Sequence, residues 1–197
     1  MAHEKTIWPG STQLAPVPAV LVGCGDGKTF KYNLITVAWA GTVCSDPAML
    51  AIAVRPERFS FAPISQLKEF TVNLPPVSLA AELDRCGVVS GRDCDKFELC
   101  HLTPVAGEKV SAPLVAECPV ALECRVTQPI ELGSHTLFLA EILAVQVQSD
   151  LIDDKGKFDI DRAHLIAYAH GHYYQLGECI GHFGYSVRRK PGSIVRK

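Results

Sequence analysis

The chain has 197 residues, 48% of them hydrophobic and 20% charged, which is enough apolar material for one sizeable core. Its 19 Lys and Arg against 21 Asp and Glu leave a net charge of −2, so it lacks the electrostatic footprint of a nucleic-acid partner or of an anionic membrane surface. The segment from His3 to Gly10 has no apolar centre of the signal-peptide kind, and no apolar run is long enough to span a bilayer.

A cytoplasmic protein is therefore expected. In that setting the eight cysteines, scattered without a CxxC pair, read as small buried thiols rather than as a disulfide framework. One folded domain over residues 1–187 and a basic tail over 188–197 are expected, because charged Arg188-Arg189-Lys190 is followed by Pro191 and Gly192.

Taken in chain order, Pro18 to Val22 is a short apolar run leading into the turn-rich Gly23-Cys24-Gly25-Asp26-Gly27, and an apolar, β-rich pattern resumes from Thr29 to Ala40. This predicts a hairpin. The same glycines imitate a phosphate-binding loop, but only three residues separate Gly23 from Gly27 and the sequence that follows favours a strand over a helix. The turn is the better reading.

Met49 to Val54 and Phe70 to Leu74 have the composition of buried strands, and Ser60 to Lys68 between them is spaced for a short helix. A second helix is predicted over Ser78 to Cys86. Val120, Leu122, Cys124 and Val126 alternate with Ala121, Glu123 and Arg125, as Val145 and Val147 do with Gln146 and Gln148. Two long late strands about the Glu131-Leu132-Gly133-Ser134 turn, with few helices, predict a mainly β, antiparallel barrel rather than a parallel α/β sheet.

Several segments carry chemistry. Arg55-Pro56-Glu57-Arg58-Phe59-Ser60 places two guanidinium groups at a strand end and before a helix start, where forked Arg donors, the Ser60 hydroxyl and helical N–H groups suit an anion. A surface ion-pair cluster is the alternative. The stretch from Cys86 to Phe97 is a glycine-containing loop with a further cation at Arg92. Asn33, Thr36 and the Thr42-Val43-Cys44-Ser45-Asp46-Pro47 turn offer polar groups at strand ends. His164, His170, His172, Cys179 and His182 gather late in the chain, with His170 and His172 on one face if they lie in a strand, but their spacing matches no standard metal site.

In this order the stretches Asn33 to Pro47, Val54 to Ser60, Phe70 to Pro75, Val89 to Phe97 and Leu132 to Phe138 resemble the flavin reductase-like, FMN-binding split-barrel family, in its flavoredoxin branch. The resemblance spans roughly Pro16 to Val187. It implies a Greek-key split β-barrel with a few short helices, a homodimer, and FMN near the subunit interface. It also implies that Arg55, Arg58 and Ser60 meet the FMN phosphate and that Asn33, Thr36, Thr42, Cys44 and Ser45 line the ring or the ribityl chain. Ser90, Gly91 and Lys96 would close the site, and His135 would orient the donor or tune reduction. Trp39-Ala40-Gly41 departs from the serine-rich strand of two-component reductases, which leaves the electron donor open.

Three functions are weighed, the first two from that resemblance and the third from the late histidine cluster. In the first, NADH or NADPH passes electrons to flavin on the protein. In the second, the chain is a flavoredoxin-type carrier with bound FMN, fed by a redox-protein partner. In the third, the barrel is a non-catalytic module for another ligand or a metal.

Overall fold

The computed structural model describes residues 3–187. Strand outweighs helix, 38% against 16%, which makes the chain mainly β as its sequence predicts. The N-terminal half contains β1 (Val17–Pro18), β2 (Val20–Cys24), β3 (Asn33–Val37), β4 (Ala40–Ser45), β5 (Ala48–Val54), α1 (Phe61–Leu67) and β6 (Glu69–Leu74). A single 3₁₀ turn at Val77–Leu79 then opens α2 (Ala80–Val88), which is followed by α3 (Lys96–Leu99), β7 (Pro104–Val105) and β8 (Leu114–Val115). The late strands are β9 (Val120–Glu131), β10 (Thr136–Val147), β11 (Ile166–Ala169) and β12 (His172–Gln175).

Seven strands form one curled antiparallel sheet in the order β3-β2-β6-β9-β10-β5-β4. Spatial neighbours are out of sequence order, which is Greek-key rather than meander wiring. The strand β2 shows why its sequence is continuously apolar: it is buried on both faces. Val20, Val22 and Cys24 face the barrel interior with Phe70 and Phe138. Leu21 instead joins Leu34 against Leu83 and Cys86 of α2 and Phe97 of α3.

At Gly23 a Cβ would stand 2.2 Å from the Pro113 carbonyl oxygen and 2.4 Å from Thr71 Oγ1, so this glycine serves a backbone crossing inside β2. Asp26 then accepts N–H bonds from Lys28 at 3.0 Å and Phe30 at 2.8 Å, turning the chain into β3. The hairpin is as predicted.

Some boundaries differ from expectation. The second helix begins two residues later than predicted and ends at Val88. The segment Thr42 to Ser45, expected in a turn, lies in the edge strand β4, and only Asp46-Pro47 turns. Its small residues, including the exposed Gly41 and Thr42, give no burial pattern to read. His170 and His172 do not share a strand face: His170-Gly171 is the tight turn joining β11 to β12, with φ of 48° and 83°. The basic tail at 188–197 lies outside the described residues. Among the described residues no helix is long and apolar enough to cross a membrane, and no group of three His, Cys, Asp or Glu could hold a metal ion.

The fully buried Glu123 ties the 107–110 loop to the sheet. Its carboxylate accepts the Lys109 N–H at 2.6 Å, the Val110 N–H at 3.1 Å and the Gln146 side-chain amide at 2.8 Å. Burial alone would raise its pKa, but these donors hold it below the ordinary value of 4.5. With the folded pKa below the unfolded one, the carboxylate stabilises the fold fully above about pH 4.5, and that stability is lost as pH falls through the folded value. The urea midpoint of the native protein is expected to drop on acidification below pH 4.5, and Glu123→Gln to show a smaller drop. Parallel profiles for the two proteins would remove Glu123 from this role.

Candidate functional site: an anion-binding pocket between two loops

Two loops, the end of α2 and Ile35 of β3 enclose a cavity of about 320 Å³. The first loop leaves β5 at Val54, turns through Arg55 to Ser60, and enters α1 with Ser60 at its N-cap. Ser60 does not cap the helix with its side chain. It is 1% exposed and its Oγ accepts a 2.7 Å hydrogen bond from Asn33 Nδ2 of β3, which fixes both side chains beneath the cavity.

The second loop leaves α2 after Val88 and reaches α3 through Ser90, Gly91 and Arg92. Ser90 Oγ accepts the Arg92 N–H at 3.2 Å, and the Ser90 carbonyl accepts the Asp93 N–H at 3.1 Å, so the turn is tight. A Cβ on Gly91 would stand 2.2 Å from Asn33 Oδ1 and 2.6 Å from Phe59 Cδ1, so only glycine lets the loops meet here. Arg92 Nη2 donates to the Glu57 carbonyl oxygen at 3.2 Å and links the two loops.

Lys96 opens α3, where Asp95 caps the helix by accepting the Phe97 and Glu98 N–H groups at 2.9 and 3.2 Å. Its ammonium turns inward and donates to the Leu34 carbonyl at 2.8 Å and the Cys86 carbonyl at 2.7 Å. At 3% exposure it lines the cavity with two of its three protons committed to these carbonyls. Burial pulls its pKa below the ordinary lysine value. The ion pairs among the described residues are Arg55–Glu57 and Arg125–Glu69, so this buried cation has no carboxylate partner. With Arg58 and Arg92 also on the lining, against the single acidic residue Glu57, the cavity wall gathers donors of the kind that suit an anion.

Of the residues singled out in the sequence, the structure brings Arg58, Ser60, Ser90, Gly91 and Lys96 to the cavity wall and sets Asn33 directly behind it. Arg55 stands outside, in an exposed 3.5 Å ion pair with Glu57. The Thr36 hydroxyl donates to the Leu83 carbonyl and braces β3 against α2. Thr42, Cys44 and Ser45 sit on β4, whose outer edge is unpaired. Ser45 pairs with Ala48 at the start of β5, about 20 Å from the Arg55 end at roughly 3.3 Å per residue. Arg92 was visible in the sequence as a cation in the loop but carried no assignment. Its position between two loops is a tertiary fact.

His135 closes the β9–β10 turn at the same end of the sheet as Arg55, where its neighbour Thr136 pairs with Val54. Its ring lies 4.5 Å from that of Trp39, and its Nδ1 is 2.9 Å from Ser134 Oγ. Burial, then the Arg55 and Arg58 charges, hold its pKa below the ordinary value, which favours the neutral ring.

The model of the flavin reductase like domain matches residues 12–177. The chain belongs to that family. The match begins slightly earlier and ends ten residues sooner than the span read from the sequence, which ran to Val187. The structure superposes on the flavoredoxin of Desulfovibrio vulgaris (Miyazaki F) with a TM-score of 0.87 at 33% identity, covering 94% of this chain and 100% of that one. For the flavoredoxin of Methanosarcina acetivorans the values are 0.85 and 28%, with the same coverage. A split-barrel-domain protein of Shewanella frigidimarina matches at 0.77 and 22%, over 86% of each chain, and shows the same split-barrel fold.

Proposed function

We propose that this flavin reductase-like chain binds FMN and works as an oxidoreductase that passes electrons from NADH or NADPH to flavin. The observation that carries the reading is Lys96, a buried ammonium without a carboxylate partner among the described residues, on a cavity wall shared with Arg58 and Arg92. A phosphate monoester carries close to two negative charges and answers such a donor set through short, charge-assisted bonds. On this reading Arg58, Ser60, Arg92 and Lys96 hold the phosphate. Arg55, which the family resemblance put in that role, is not on the cavity lining itself but pairs with Glu57, which is.

FMN, when bound, supplies the electron-carrying chemistry. The chain's own residues bind, orient and exclude water. Gly91 lets the loop approach, Asn33 and Ser60 fix the floor, and the neutral His135 ring beside Trp39 flanks the entrance for a donor. Thr42, Cys44 and Ser45 meet the flavin of a second copy in a homodimer, a proposal supported by the open edge of β4 and the exposed Trp39 and Val43 beside it.

A second reading, a flavoredoxin-type carrier fed by a redox protein, is favoured by the two flavoredoxins whose structures this chain follows over their full lengths. Anaerobic mixing of FMN-loaded protein with NADH and then NADPH separates the two. Rapid loss of flavin absorbance with either nucleotide is the expected result. A yellow colour that persists until a chemical reductant is added would overturn the nicotinamide reading in favour of the carrier.

A further inference from the structure

The buried cysteines hold chemistry that the flavin reading does not use. Five of the eight are buried, and among the described residues one pair is in thiol–thiol contact: Cys86 Sγ lies 3.7 Å from Cys100 Sγ. Cys86 belongs to the last turn of α2 and also lines the anion cavity, whereas Cys100 caps the C-terminus of α3 and lies 3% exposed. Between them runs the loop that supplies Ser90, Gly91, Arg92 and Lys96 to the cavity. The Cys86 carbonyl also accepts a bond from Lys96 Nζ at 2.7 Å, so the thiol pair and the buried ammonium share one piece of backbone.

We propose that Cys86 and Cys100 form a redox-active dithiol whose oxidation by a hydroperoxide clasps the ends of the cavity loop with a disulfide. The sulfurs must close by about 1.7 Å to reach a covalent S–S bond of about 2.05 Å. Cys86, 1% exposed, is the one of the two on the cavity lining, so on this proposal the oxidant reaches it through the cavity. Its sulfur, as thiolate, attacks one oxygen of hydrogen peroxide, breaks the O–O bond and becomes a sulfenic acid, and the hydroxide that leaves takes up the proton the thiol gave up and becomes water. The Cys100 thiol then attacks that sulfur, and a second water leaves with the proton of the Cys100 thiol. In sum, two thiols and one hydrogen peroxide give one disulfide and two waters.

Burial, then the neighbouring Cys100, push the Cys86 thiol up to about 12, so at neutral pH Cys86 rests as the thiol. Because the thiolate is the attacking species, crosslinking is expected to speed up roughly tenfold per pH unit between pH 7 and 9.

Tryptic mapping tests this directly, because cleavage after Arg85, Arg92, Lys96 and Lys109 puts Cys86, Cys94 and Cys100 on separate peptides. The full chain without added flavin is treated with hydrogen peroxide, its remaining thiols are alkylated, and it is digested without reductant. The expected product joins peptides 86–92 and 97–109 with the loss of two hydrogens, and dithiothreitol separates them. Either Cys86→Ser or Cys100→Ser should abolish the linked species. The proposal is overturned if Cys86 and Cys100 are both recovered alkylated under conditions that oxidise the exposed Cys179, or if Cys86 is recovered joined to the Cys94 peptide. As no flavin enters the assay, failure here leaves the FMN reading standing, and failure of FMN to bind leaves the crosslink standing.

Discussion

Lys96→Met is expected to weaken FMN binding by roughly 30- to 150-fold, about 2–3 kcal/mol, while moving the urea midpoint little. The magnitude is that of a charged hydrogen bond lost from a dry site. Methionine matches the length of the lysine stem and brings no charge into the space now held by an ammonium of 3% exposure. The Leu34 and Cys86 carbonyls lose a donor, but the cost of burying an unpaired cation disappears with it, so the effects on stability offset one another. Arginine at the same position keeps the charge but not the shape, since a planar fork does not fit a pocket cut for a point charge. Quenching of FMN fluorescence measures the affinity, and urea unfolding of the same samples guards against a trivial loss of fold. Unchanged affinity in a folded variant would take Lys96 out of the site.

Gly91→Ala should be nearly as damaging by a different route. The added methyl would overlap Asn33 Oδ1 at 2.2 Å and Phe59 Cδ1 at 2.6 Å. Neither neighbour yields easily, because Asn33 is 2% exposed and is tied to Ser60 by a 2.7 Å hydrogen bond. The loop must therefore move, carrying Ser90 and Arg92 away from the first loop. Overpacking of this kind costs about 1–3 kcal/mol of stability, and FMN affinity should fall at least tenfold with it. The expected signature is a lowered unfolding midpoint together with a loss of FMN quenching that added FMN does not restore at micromolar concentration. Wild-type midpoint and affinity would show that the two loops are not locked together at Gly91.

The two variants separate charge from shape. Lys96→Met removes an attraction and leaves the walls in place, whereas Gly91→Ala keeps every cation and spoils the fit. Loss of affinity in both identifies the cavity between the loops, rather than the exposed β4 edge, as the place where flavin affinity is set.

Much of this was legible in the sequence for a physical reason. Val20 to Val22, Met49 to Val54 and the apolar Phe70, Val72 and Leu74 follow from burial in the sheet, whereas the alternation from Val120 to Val126 marks a strand without marking an open face, since Ala121 and Glu123 are buried too and only Arg125 is exposed. The loop from Arg55 to Ser60 and the loop from Ser90 to Lys96 could be named as segments from residue type and order. Their meeting could not, because it rests on contacts such as Asn33 to Ser60, 27 residues apart, and Arg92 to Glu57, 35 apart. The inward turn of Lys96 was also hidden, since a lysine in the first turn of a short helix ordinarily faces water. β4 escaped because an exposed edge strand of Ala40, Gly41, Thr42 and Ser45 has no buried face to impose a period.

The late histidines illustrate the opposite error. His170-Gly171-His172 has the spacing of two side chains on one strand face, but the glycine between them supplies the positive φ of a hairpin turn, 83°. Backbone conformation therefore decided where these rings point.

The central claim is that the cavity holds the phosphate of FMN, and it is tested most directly by titrating flavin-free protein with FMN and, separately, with riboflavin, which has the same ring and side chain but no phosphate. FMN is expected to bind at least tenfold more tightly than riboflavin, with the difference shrinking as salt is raised. Equal affinities for the two flavins, or binding of neither, would contradict it.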